Sequence, residues 1–88
     1  MDATLNVERL RLLVEHTCQA VIDEGHDLSA VAIPGDENVV FEVHCAPGDI
    51  GLVIGRGGKH IEAVRTIVQS ACRGANIRTS VEVVNSRR

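Results

Sequence analysis

The segment from Val53 to Ile61, reading VIGRGGKHI, limits what this chain can fold into more than any other stretch, because it sets three glycines and two cations between two apolar runs. Gly55, Gly57 and Gly58 lack a Cβ, so the backbone can enter dihedral regions closed to other residues and can approach a ligand closely. From Lys59 to about Cys72, apolar residues recur at Ile61, Val64, Ile67, Val68, Ala71 and Cys72, the spacing of a helix. The glycine stretch therefore opens onto a helix N-terminus, where unpaired N–H groups and the positive end of the helix dipole converge. Arg56 and Lys59 add full charges at the same spot. These features describe a phosphate-binding corner.

Two familiar nucleotide loops do not fit it. A Walker-type loop needs a glycine where Val53 stands and a Ser or Thr where His60 stands. A dinucleotide fingerprint starting at Gly55 would need its third glycine at His60, and no acidic residue in a βαβ context follows. The remaining pattern is G-x-x-G at 55–58, with apolar helical sequence on both sides. This pattern resembles the loop of the KH module, which clamps the backbone of single-stranded nucleic acid.

Periodicity supplies the rest of the fold. Val7, Leu10, Leu13, Val14, Cys18, Val21 and Ile22 form one helical stripe that ends near Gly25. Val31–Ile33 reads as a short strand, and Pro34 to Asn38 is turn chemistry. Val39, Phe41, Val43 and Cys45 then alternate with Val40, Glu42, His44 and Ala46 as a second strand. Pro47 suits the first position of a short helix through Ile54, with Asp49 in its first turn. The glycine loop and a second helix stopped at Gly74 follow. Ile77, Thr79, Val81 and Val83 alternate with Arg78, Ser80, Glu82 and Val84 in a last strand. The order is αββααβ, and the long connection between the second and third strands suits parallel neighbours.

Ile50 to Val68, reading IGLVIGRGGKHIEAVRTIV, resembles the KH motif along its whole length, and the chain from about Leu13 to Val84 is similar to the small bacterial single-KH RNA-binding proteins of the KhpA type. The LVEH of the first helix, the Ala46-Pro47-Gly48-Asp49 lead-in and Val64-Arg65-Thr66-Ile67-Val68 carry that resemblance. The family usually has Lys at the first variable loop position and Arg after the last glycine; here these are Arg56 and Lys59, so charge is kept and bidentate geometry exchanged. The family also commonly has a proline where Gly25 or His26 now ends the first helix. The resemblance implies an α+β fold, a type II KH domain with a three-stranded mixed sheet and its helices packed on one face. Residues 1–88 are expected to form one such domain, with the motif core at 46–84 and the GXXG loop at 55–58. It also implies a single-stranded RNA-binding protein, a post-transcriptional regulator or RNA chaperone, that forms homodimers or pairs with a second KH-containing protein of the KhpB or Jag type.

The expected RNA-contacting residues are Gly55, Arg56, Gly57, Gly58 and Lys59 of the loop, with Ile54, Ile61 and Arg65 beside it. Phe41 is the only aromatic residue, so there is no stacking platform and bases would lie against an aliphatic groove, for which Ile50, Val53, Ile54 and Ile61 are candidates. Net charge is −3, yet residues 1–50 hold two arginines against ten acids and residues 51–88 hold seven basic residues against two acids. The basic half contains the loop, as a local phosphate-binding face requires.

Other functions find little support in the sequence. Cys18, Cys45 and Cys72 fall on apolar faces and read as buried reduced thiols, and the four histidines have no ligand spacing. No metal, cofactor or enzymatic centre is expected, since no paired carboxylates or nucleophile–base set can be assembled. No apolar run approaches a membrane span and no signal core is visible, so a cytoplasmic protein is expected. A chain of 88 residues buries only about 60–65% of its unfolded surface, which leaves modest stability that a dimer would raise. A second functional reading stays open, in which the KH fold serves protein assembly with little nucleic-acid contact. The basic loop favours RNA.

Overall fold

The alternation at Val39, Phe41, Val43 and Cys45 becomes one side of the central strand of a three-stranded sheet. The computed structural model describes residues 6–72 and 77–86. Its order is α1 (Val7–Gln19), β1 (Leu28–Pro34), β2 (Asn38–Cys45), α2 (Pro47–Ile54), a 3-10 turn at Arg56–Gly58, α3 (Lys59–Ala71) and β3 (Arg78–Asn85). The sheet runs β1-β2-β3, with β1 antiparallel and β3 parallel to β2. This is the α+β, αββααβ arrangement of a type II KH fold with a mixed sheet. The turn with the glycine pair lies inside the β2–β3 crossover, between α2 and α3.

Four residues of β2 alternate into the core at 0–4% exposure: Val39, Phe41, Val43 and Cys45. They join Leu10, Val14 and Cys18 of α1, Val53 of α2, Ile61, Val64 and Val68 of α3, and Val81 of β3 in one cluster. All three cysteines are buried and free. Burial pushes the Cys18 thiol up to about 11, with the neighbouring Cys45 adding to the effect, and raises Cys45 and Cys72 as well. Each therefore packs as an apolar side chain and is a poor nucleophile.

Two elements differ from the sequence reading. α1 ends at Gln19 rather than near Gly25, because the N–H groups of Val21 and Ile22 turn to the carbonyls of Cys18 and Gln19. That tighter turn still returns Ile22 to the core at 8% exposure. β1 is longer than Val31–Ile33, and its larger side chains point away from the core: Val31 and Ile33 are 44% and 45% exposed while Ala30 is buried. The pairing of Ala30 with Val43 and Ala32 with Phe41 puts the alanines under α1, where small side chains admit a close helix. The Gly74 helix stop lies outside the described residues.

Both sheet edges are guarded by charged side chains from the helices. On β1, the Ala30 N–H donates to Glu15 Oε2 at 2.9 Å and Arg11 Nη1 donates to the Ala30 carbonyl at 3.0 Å. Arg11 also pairs with Glu15 and Glu8, so the α1 side chains occupy the place of a further strand. On β3, Arg65 Nη2 and Nε donate to the Val81 carbonyl at 3.0 and 3.3 Å. Filling these backbone positions blunts pairing with another chain.

A buried carboxylate fixes the start of α2. Asp49 is 4% exposed, sits in the first turn of α2, and accepts from His26 Nδ1 at 3.0 and 3.1 Å. Hydrogen bonding and charge attraction from Asp49 raise the His26 pKa above its ordinary 6.5; burial opposes this, and Asp23 and Asp27 add to it. A histidine whose pKa is higher folded than unfolded contributes stability that is fully present below the unfolded pKa and is lost as pH rises through the folded pKa. The midpoint of urea unfolding should therefore fall between about pH 6 and pH 8 by more in the native chain than in His26→Gln. Parallel pH profiles for the two would show that this pair does not support the fold.

Candidate nucleic-acid interface

The sequence fixes where α2 stops. Pro47 at its start needs no N–H partner, Val53 is wholly buried, and the Gly55 N–H closes the last turn on the Gly51 carbonyl at 2.9 Å. Gly55 then adopts φ 81° and ψ 166°, a region essentially reserved for glycine. A Cβ there would stand 2.7 Å from the His60 Cβ and 2.8 Å from the His60 nitrogen, so a side chain is excluded by space as well as by dihedral. Gly57 and Gly58 follow in the left-handed region at φ 62° and 76°, with open space where their side chains would be.

Short-range backbone bonds hold the turn. The Gly58 N–H donates to the Gly55 carbonyl at 3.0 Å and the Lys59 N–H to the Arg56 carbonyl. His60 Nδ1–H donates to the Val53 carbonyl at 2.6 Å, tying the end of α2 to the start of α3. No side chain caps the α3 N-terminus at Gly58. The positive end of its dipole is thus presented where Arg56 and Lys59 stand exposed. Neither cation makes an ion pair among the described residues, whereas Arg11 and Arg65 both do.

Three sequence expectations are corrected by packing. Ile61 is 5% exposed and Val53 0%, so both pack in the core and hold the helices rather than lining an open groove. Arg65 spends its guanidinium on the Val81 carbonyl and on Glu62 at 2.6 Å, which makes it a β3 edge clamp rather than a free phosphate ligand. Ile54 is 36% exposed at the end of α2, as an aliphatic contact needs, and Leu52 at 48% joins it. Leu52 went unnoticed because the helical spacing that marks Val53 for the core says nothing about its neighbour. Gly55, Arg56, Gly57, Gly58 and Lys59 come together in the turn. Arg73, Arg87 and Arg88 lie outside the described residues.

The shape is that of a protruding turn. Two hollows of about 850 and 480 Å³ lie elsewhere, one beside Glu37, Cys72 and Arg78 and the other beside His26, Pro47 and Asp49. Among the described residues, no group of three or more His, Cys, Asp or Glu side chains could hold a metal ion. No helix in them is long and apolar enough to cross a membrane. What the turn offers is backbone N–H groups, a helix N-terminus and two unpaired cations, a set suited to a phosphodiester backbone.

Residues 11–83 match the family model described as KhpA/KhpB, KH domain. Among curated relatives, the RNA-binding protein KhpA of Clostridium perfringens is 31% identical over 85% of this chain and 100% of its own length. The RNA-binding protein KhpA of Mycobacterium bovis is 38% identical over 77% of this chain and 84% of its own. That of Leifsonia xyli is 35% identical over 75% and 87%. No solved structure matches the chain significantly.

The dihedrals rank the glycines. Gly55→Ala combines a glycine-only conformation with a collision against backbone and should cost about 2–4 kcal/mol in urea unfolding. Gly57→Ala meets open space and should cost only about 1–2 kcal/mol. Equal costs, or the reverse order, would contradict the geometry described for Gly55.

Proposed function

The chain belongs to the KhpA/KhpB KH-domain family, and on that premise we propose that it binds single-stranded RNA by clamping the sugar-phosphate backbone at residues 55–59. Its relatives are named for RNA binding and the family is not enzymatic. The observation that carries this reading is the placing of exposed Arg56 and Lys59, neither in an ion pair among the described residues, on a bare glycine turn at a helix N-terminus with no side-chain cap. Phosphates are drawn to that charge and the bare glycine backbone lets the strand come close. Gly55 shapes the turn, Gly57 and Gly58 admit the strand, and Ile54 offers an aliphatic surface to a base.

Two cations on one turn give modest affinity. Such a module works as a sequence-tolerant RNA chaperone or post-transcriptional regulator, and assembly would strengthen it by bringing two turns to one strand. The proposed assembly is a homodimer or a heterodimer with a second KH-containing protein of the KhpB or Jag type. Between α3 and the edge strand β3 as the contact surface, α3 is the better supported, since Ile67 is 44% exposed on it whereas the middle of the β3 edge is occupied by Arg65. With RNA as ligand, the cytoplasm is the proposed setting.

Replacing Arg56 and Gly57 together by Asp puts two negative charges where the phosphate would sit and leaves the core untouched, as Asp is among the residues that best tolerate positive φ. Fluorescence anisotropy with a short single-stranded RNA should show affinity falling more than about tenfold with an unchanged circular dichroism spectrum. In the native chain, the logarithm of affinity should fall with the logarithm of salt at a slope of about −1.4, the value for two phosphates on a single strand. Full affinity in a folded double variant would overturn the clamp. A slope near about −4 would show that the contact extends well beyond the turn.

A further inference from the structure

We propose that His60 is a positioning residue for RNA binding, holding the turn in its binding shape through the bond from its ring to the Val53 carbonyl. The proposal rests on the RNA-clamp reading above. The Val53 carbonyl is one of the last in α2, where the helix itself supplies no donor. His60 Nδ1 lies 2.6 Å from it. A carbonyl oxygen can only accept, so Nδ1 carries the hydrogen, and it does so in both the charged imidazolium and the neutral ring of this tautomer. The bond is thus kept whichever of these protonation states the ring adopts.

The bond closes residues 54–59 into a ring. Inside it lie both unpaired cations and the left-handed glycine pair, while its two ends are the buried Val53 and the first turn of α3. The closure is also steric, because the bare Gly55 backbone packs against His60 so tightly that a Cβ would come within 2.7 Å of it. Gly55 and His60 therefore fit as a pair. Inside the turn the Gly58 and Lys59 N–H groups reach back only to the Gly55 and Arg56 carbonyls, whereas the bond from His60 spans the whole segment. If it is lost, the turn must be ordered when RNA binds, and affinity falls by that cost.

The test compares His60→Phe, which keeps the Cβ against Gly55 and an aromatic ring but has no donor, with His60→Asn, whose amide can donate from the place of Nδ1. RNA affinity is measured by anisotropy at a temperature where circular dichroism shows every variant folded, beside the Arg56→Asp, Gly57→Asp double variant. Amide hydrogen exchange of Gly57, Gly58 and Lys59 is followed without RNA. His60→Phe should weaken binding about threefold to tenfold, the value of one ordinary hydrogen bond, and speed exchange in the turn. His60→Asn should stay within about twofold of the native chain in both. Unchanged exchange in His60→Phe would overturn the proposal whatever the RNA result. So would faster exchange with native affinity while the double variant fails to bind, or a loss in His60→Asn equal to that in His60→Phe. Retained binding in the double variant would instead sink the clamp reading, and the exchange data would still decide whether His60 orders the turn.

Discussion

The side chains that β2 presents to the helices hold the molecule together. Phe41, Val43 and Cys45 are wholly buried, and α1, α2 and α3 each contribute to the same cluster around them. Because β3 lies parallel to β2, the chain must cross from the end of one strand to the start of the other, and it does so through two helices. Each of those helices is anchored close to the glycine turn, α2 by Val53 and α3 by Ile61. The turn is thus short, exposed and tied at both ends to a packed core, which gives a flexible sequence a defined shape.

Charge is divided in the same way. Arg11 and Arg65 serve the two edges of the sheet, paired with acids and bonded to backbone carbonyls. Arg56 and Lys59 serve nothing inside the described structure. An acidic chain with net charge −3 can still present a positive point, because most of its acids lie in the first half and the turn lies in the second.

Much of this was legible in the sequence, and what was hidden had physical reasons. α3 and the burial pattern of β2 follow from spacing alone, since periods of 3.6 and 2 mark one buried face directly, and α2 follows from Pro47 and Asp49 at its start. The orientation of Val31 and Ile33 does not, because the register of Ala30 with Val43 decides which face of β1 is covered, and a short apolar strand carries no label for it. The sequence likewise could not separate Ile61 from Ile54: both are apolar neighbours of the loop, and only packing sends one inward and leaves the other half exposed. Arg65 looked like a third phosphate ligand, since nothing local shows that β3 passes beneath it, sixteen residues on. His60 gave no signal at all, because its partner is a backbone carbonyl whose direction exists only once the turn has formed.

The central claim is that RNA meets this protein at the turn between α2 and α3, and mapping amide chemical-shift changes on the native chain while a short single-stranded RNA is added tests it most directly. The account predicts that the largest changes fall on Arg56, Gly57, Gly58, Lys59 and the adjoining Ile54, with Val31, Ile33 and Val40 on the open face of the sheet unmoved. Changes centred on that open face, with the turn silent, would contradict it.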